Sequence, residues 1–491
     1  MHVLRKLLYC PKFISLPLHQ RYKSTIFALS SGQGKCGVSI IRISGSNAKA
    51  ALESMAGFSK PPQPRYAFLR SLRNPQSGVI IDKGLVLWFP GPRSFTGEDT
   101  CEFQIHGGLA VVNGILESLS TINSYRIAEP GEFTKRAFEN GVLDLTEVEG
   151  LADLLNAETE IQRKQAFLQA QGFLSKLYYK WKDGISQNLA HLEALIDFGE
   201  TEELDSSQEK EIFNSVTKLK NEIATHLLHG RKGETLRHGI KTVILGQPNV
   251  GKSSLLNLLY GRPAAIVTPI SGTTRDVLEV RLDISGYPMI LVDTAGIRES
   301  SPDPIEREGI KRAKQQLDEA DLIIIVMDAV EFCHWKTKNQ NLTFDDYLKQ
   351  YLMKLGIENE LASKPKIFVM NKIDLNAVVI EETVVPISCQ TRKGIEDLIG
   401  QITQTLKIIC GEPSKEHPSM SNARHRQHLE DCLSELNKFL VRIKCNSNEE
   451  IDVVILAEHL RRASRHLGKL VGTITTDQLL DIIFKDFCIG K

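Results

Sequence analysis

Gly246-Gln247-Pro248-Asn249-Val250-Gly251-Lys252-Ser253 is the stretch that decides how this chain folds. It has the spacing GxxxxGK[ST]. It stands between a strand-like apolar run, Ile240 to Leu245, and a segment of helical spacing, Ser254 to Tyr260. A glycine-rich turn leading from a strand into a helix lets backbone N–H groups close on phosphate oxygens, and the helix N-terminus adds a favourable dipole. Lys252 would reach the β and γ oxygens and Ser253 would ligate Mg²⁺, with Asn249, Val250, Gly251 and Ser254 completing the nucleotide-binding turn.

Working outward, apolar strands recur at Met289 to Val292, Leu322 to Met327 and Ile367 to Met370, with helical segments between them. Strands alternating with helices predict a parallel, doubly wound sheet covered on both faces, here a Ras-like P-loop domain over 239–409. Asp293-Thr294-Ala295-Gly296 follows one strand, where the carboxylate would hold Mg²⁺ through water and the glycine amide would sense the γ-phosphate. Asn371-Lys372-Ile373-Asp374 follows another. A carboxylate there accepts two hydrogen bonds from guanine's N1–H and exocyclic amine, an edge that adenine lacks, so GTP is preferred over ATP. Ser388 and Cys389 are placed to back the guanine ring. In Ser271 to Asp276, Thr274 is the threonine expected to complete the Mg²⁺ shell when the γ-phosphate is bound. Many switch GTPases orient water with a Gln after the DTAG glycine; here Ile297 stands there and cannot do so.

The flanks differ in character. From Ser24 to Gly141, short β runs (Thr25 to Leu29, Val38 to Ile43, Gly84 to Trp88, Cys101 to Ile105) alternate with helical stretches, which predicts an α+β domain over 24–141. Few breakers interrupt Thr146 to Ile196, and helical patterns return at Ile212 to Leu228, Leu429 to Ile443 and Ile451 to Leu470. The simplest arrangement is a helical domain made of 142–238 and 410–491 with the α/β domain inserted in it. Lys plus Arg and Asp plus Glu are 60 each among 491 residues, so no global basic field points to nucleic acid and any such contact is local. No apolar run approaches the ~18 residues of a membrane span, so membrane insertion is not expected. Nine scattered cysteines without a CxxC pair indicate neither a disulfide framework nor a zinc knuckle. His425 and His428 stand too isolated in sequence for a metal site. Before Glu53 there is no acidic residue, while Arg5, Lys6, Lys12, Arg21 and Lys23 lie among apolar residues; residues 1–23 read as a mitochondrial import signal.

Asn249, the stretch Gly272 to Asp276, Ile297, Ile305-Glu306-Arg307-Glu308-Gly309-Ile310 and the chain end Phe487-Cys488-Ile489-Gly490-Lys491 together resemble the MnmE/TrmE family of tRNA-modification GTPases. Gly37 to Gly45 and Ser94 to Asp99 resemble that family's folate-binding domain. The resemblance implies a homodimeric, K⁺-stimulated GTPase, which the N-terminal signal would take to the mitochondrial matrix. In it, K⁺ is held by Asn249 with help from Thr268, Ile270 and Thr273, and water is positioned by Glu306. It also implies a tetrahydrofolate derivative held near Arg42, Glu102 and Lys491, with Cys488 acting beside it as nucleophile, base or one-carbon acceptor. The redox step would use FAD on a MnmG/GidA-type flavoprotein partner, and the substrate would be C5 of the wobble uridine of mitochondrial tRNA. The family usually has lysine where this chain has Val142. A GTP-dependent ribosome-assembly or RNA-chaperone switch explains the GTPase motifs equally well, and so does a signalling GTPase. Neither explains the N-terminal domain or the cysteine tail.

Overall fold

A computed structural model describes residues 24–198, 206–261, 279–292, 316–356, 364–375, 383–445, 452–473, 483–484, 487 and 490. The chain divides into two compact units, Met1–Ala152 with Gly468–Lys491, and Asp153–Leu467.

In the first unit, β1 (Thr25–Leu29), β2 (Cys36–Ser44), β3 (Phe68–Arg73), β4 (Ile80–Phe89), β5 (Thr100–Gly107) and β6 (Tyr125–Ile127) form one sheet in the order β3-β4-β5-β2-β1-β6. All neighbours are antiparallel except β1 and β6. Ile41, Ile43, Val86, Phe103 and Ile105 alternate onto one face and pack under α1 (Lys49–Ser54) and α2 (Leu109–Ser120). The opposite face of β1 offers Ile26 and Ala28 to Phe133 of α3 (Glu132–Glu139). β1 is therefore buried on both sides. β3 and β6 lie outside the expected runs. β3 is an edge strand whose exposed Leu69, Arg70 and Arg73 break the apolar alternation, and β6 is three residues long, so neither carries a readable period. The unit also holds the start of α4 (Leu145–Asn156), where Leu145 and Val148 cluster with Phe484 and Phe487.

In the second unit, α5 (Glu160–Ala170), α6 (Phe173–Phe198), α7 (Ser206–His238), α12 (Ala423–Cys445) and α13 (Val453–Val471) are the long helices flanking the nucleotide motifs in sequence. α5 opens on a capping box in which Thr159 and Gln162 satisfy each other's backbone groups. α7 packs against both α6 and α12, so the two flanks meet and the α/β segment is an insertion between them. The periodicity of Ile212 to Leu228 understates α7, whose 33 residues extend a turn or more at each end through polar sequence.

Inserted there are β7 (Ile240–Leu245), α8 (Lys252–Tyr260), β8 (Glu279–Ile284), β9 (Tyr287–Val292), β10 (Leu322–Asp328), α9 (Ala329–Lys338), α10 (Phe344–Leu355), β11 (Lys366–Asn371), β12 (Val384–Pro386) and α11 (Ile395–Cys410). The sheet order is β12-β11-β10-β7-β9-β8, parallel throughout except for β8. Both faces are covered, which is why Leu322 to Met327 is one continuous buried run. Ile324 and Val326 join the layer of α8 and α11, while Ile323, Ile325 and Met327 join that of α9 and α10. The expected multidomain α/β and α architecture, with its inserted P-loop sheet, is the one observed.

Candidate functional site

β7 enters the sheet centre fully paired, so the chain leaving it must turn at the carboxyl edge. Gly246 turns there with φ +156; a Cβ on it would run into the Val326 carbonyl oxygen and lie 3.3 Å from the Tyr351 hydroxyl. Asn249 takes a left-handed φ of 63° and Gly251 one of 99°, and α8 begins at Lys252 with its first amides unpaired within the helix. Lys252 arches back over the turn, its Nζ donating to the Gly246 and Gln247 carbonyl oxygens at 2.6 and 2.7 Å. A cationic head above a ring of N–H groups is a cradle for a polyphosphate. Ser253 and Ser254 are exposed at its rim.

Asn371 joins that cradle to the base-recognition segments. Its Nδ2 donates to the Val250 carbonyl at 2.8 Å and its Oδ1 accepts from the Cys389 amide at 3.1 Å. The absent side chain of Gly251 makes room for this amide. Lys372, at φ 65°, turns its ammonium onto Asp328 Oδ2 at 2.6 Å, and Asp374 is exposed in the turn that follows. Ser388 Oγ accepts from the Thr391 amide at 3.1 Å, closing the loop that carries Cys389. Burial raises the Cys389 thiol, so it stays neutral.

Tyr351 escaped the sequence reading. From α10 its hydroxyl donates to the Val326 carbonyl at 2.7 Å and accepts from the Gln247 amide at 2.9 Å, so one buried side chain holds the first turn of the cradle against β10. Phe344, Tyr347 and Tyr351 at helical spacing announce only an apolar face; the signal was that two members of the face carry polar tips, of which Tyr351's meets buried backbone partners.

In the first unit Arg42 and Glu102 are directly opposed on β2 and β5 and pair with each other at 2.9 Å, where the sequence reading had each meeting a ligand. Facing positions on adjacent strands bring opposite charges together before any ligand arrives. The Arg42 guanidinium lies 4.9 Å from the Phe95 ring centre and 5.8 Å from that of Phe133, and its buried Nη1 has no hydrogen-bond partner among the described residues. Fully buried Arg136, absent from the expected set, binds Glu98 at 3.0 Å and Glu132 at 2.9 Å. Ser44 adds a hydrogen bond to Glu98 at 2.9 Å. Near the chain end, Ser30 Oγ donates to the Gly490 carbonyl at 2.8 Å, and Gly490 lies against Leu29.

Thr268, Ile270, Thr273, Thr274, Asp293, Thr294, Ala295, Gly296, Glu306, Cys488 and Lys491 lie outside the described residues. On α13, Arg461 pairs with Glu193, Arg462 with Glu458 and His459 with Glu435.

A family model described as the MnmE helical domain matches residues 145–488, and one described as the N-terminus of GTP-binding protein TrmE matches 25–142. The mitochondrial 5-taurinomethyluridine-[tRNA] synthase subunit GTPB3 of Danio rerio is 43% identical over 480 residues, 95% of this chain and 93% of the relative. That of Homo sapiens is 43% identical over 478 residues with the same shares. The tRNA modification GTPase MnmE of Parvibaculum lavamentivorans is 44% identical over 470 residues, 95% of this chain and all of the relative.

Proposed function

The chain belongs to the MnmE/TrmE family of tRNA-modification GTPases, and from that premise we propose that it is the GTPase subunit of a mitochondrial enzyme building a 5-taurinomethyl group on the wobble uridine of tRNA. The relatives named above support taurine as the amine and the mitochondrion as the compartment. A MnmG/GidA-type flavoprotein is the partner for the redox step, and the active form is a homodimer.

GTP binds with its phosphates in the turn from Gly246 to Ser253 and its base against Asp374, Lys372 and Cys389. Asn371 keeps the two halves in register through its bonds to Val250 and Cys389. Mg²⁺ at Ser253 and Thr274, and K⁺ at Asn249, Thr268, Ile270 and Thr273, supply charge stabilisation for phosphoryl transfer when bound. Asp293 to Gly296 contact the γ-phosphate side, and Glu306 orients the attacking water in place of a glutamine after Gly296.

The Arg42 pocket suits a folate. Its unpartnered Nη1 is a donor for a carboxylate tail, half-buried Phe95 lies beside the guanidinium, and Glu102 is an acceptor for pterin N–H groups. A bound tetrahydrofolate derivative supplies the one-carbon unit. Cys488 and Lys491 act beside it. The observation that carries the reading is the Gly490 carbonyl hydrogen-bonded by Ser30, the residue after β1, the strand paired with Arg42's own: a ribosome-assembly or signalling switch has no use for that contact.

Mass spectrometry of mitochondrial tRNA nucleosides tests the proposal. In cells lacking the protein the wobble taurinomethyl group should disappear and return with the wild-type chain. Unchanged wobble nucleosides overturn it.

A further inference from the structure

His428, set aside in the sequence as isolated, is not isolated in space. It lies on α12 three residues before Asp431, so both project from one side of the helix. α13 brings His466 to the same place, and one ligand atom from each of the three residues lies within 4.8 Å of the others. All three are half-buried. The two imidazole ring centres are 5.8 Å apart. Asp431 is already oriented: Gln427 Nε2 donates to its Oδ1 at 3.1 Å, while Oδ2 faces His466 Nδ1 at 3.5 Å.

That 3.5 Å decides between two roles. A closed histidine–carboxylate hydrogen bond exists on the same pair of helices, where His459 Nδ1 meets Glu435 Oε2 at 2.8 Å. The His466–Asp431 spacing is longer than such a bond and matches the ~3.4 Å between donors that bonds of about 2.0 to 2.1 Å impose around a tetrahedral ion. The other separations lie within 4.8 Å, and side-chain rotation can bring them to the same spacing. Cys432, the neighbouring thiol on α12, is fully buried and is not among the residues whose ligand atoms converge there. Two imidazole nitrogens and one carboxylate oxygen select a borderline cation of the zinc type over Mg²⁺ or Ca²⁺, which take oxygen shells.

We propose that His428, Asp431 and His466 bind Zn²⁺, fastening α12 to α13 at a site separate from the Mg²⁺ of the nucleotide cradle. A fourth position is left to solvent or another donor.

The test uses full-length, tag-free protein stripped with chelator and then titrated with Co²⁺ in excess Mg²⁺. Visible ligand-field bands should appear at one equivalent and vanish when Zn²⁺ is added. His428→Ala and His466→Ala should each weaken Co²⁺ binding by at least about tenfold, while His417→Ala, at an exposed position in the preceding loop, should leave it unchanged. Zn²⁺ should raise the melting temperature of the wild type and not of His466→Ala. If an alanine variant does not fold, Asp431→Asn, which keeps side-chain volume, replaces it and should show the same loss. A silent titration means that His466 and Asp431 are only an ion pair, and bands that persist in the variants place the ion elsewhere; either result overturns the proposal.

Discussion

Asn371 carries more of the nucleotide site than its motif suggests, because both ends of its amide are used within the protein. Nδ2 ties the phosphate turn at Val250 and Oδ1 ties the base loop at Cys389. Tyr351 plays the matching part at the entry to the turn. A neutral hydrogen bond contributes about 1 kcal/mol net, so Tyr351→Phe, which keeps the ring, should weaken binding of a fluorescent guanine nucleotide by about fivefold. Turnover at saturating GTP should change little, since the hydroxyl touches no reacting atom. Unaltered nucleotide affinity would show that the hydroxyl merely fills its pocket. The stretches Gly246 to Ser253 and Asn371 to Asp374 are legible in the sequence as motifs, because each sets residue types at fixed spacing. Tyr351 was not, because its role depends on which carbonyl it meets 25 positions away. The Arg42–Glu102 pairing was illegible for the same reason: strand register lies between the residues, not in either of them.

Among the elements, the inserted sheet was the easiest to read, since strands buried on both faces become uninterrupted apolar runs such as Leu322 to Met327. Edge strand β3 and three-residue β6 carry too little pattern. Gly490, whose φ is +100°, is held by Ser30 just after β1 and approaches Leu29 at the end of that strand closely. A residue with a Cβ costs about 1 to 2 kcal/mol in left-handed conformations, and here the added carbon would also press on the Leu29 carbonyl. Gly490→Ala should therefore detach the C-terminal segment and lower tRNA modification by about tenfold or more, with GTP hydrolysis preserved. A parallel assay of tRNA nucleosides and phosphate release on the purified variant checks this. Full modification by Gly490→Ala would mean that docking of the segment on β1 is dispensable.

At the scale of the whole molecule, stability should depend on a histidine kept neutral inside the helices. His226 packs edge-on against Trp181 and Tyr178 at 5.3 and 6.0 Å between ring centres, and burial lowers its pKa from 6.5 to about 4. Between those values the unfolded chain takes up a proton that the folded chain refuses, so this contribution is complete above pH 6.5 and declines as pH falls towards 4. The slope from one such group is at most about 1.4 kcal/mol per pH unit. Urea midpoints measured from pH 7 to pH 5 should fall more steeply for the wild type than for His226→Phe, and identical slopes would remove His226 from the account. By itself the sequence determined the P-loop sheet, the choice of guanine and the insertion of one domain in another, because backbone periodicity and the chemistry of phosphate and base are local constraints. The tertiary structure alone decided that Tyr351 meets Gln247, that Arg42 meets Glu102, and that His428 meets His466 across two helices. Each of these pairs is a matter of distance in space, set by the register of strands and the packing of helices, and no spacing along the chain encodes it.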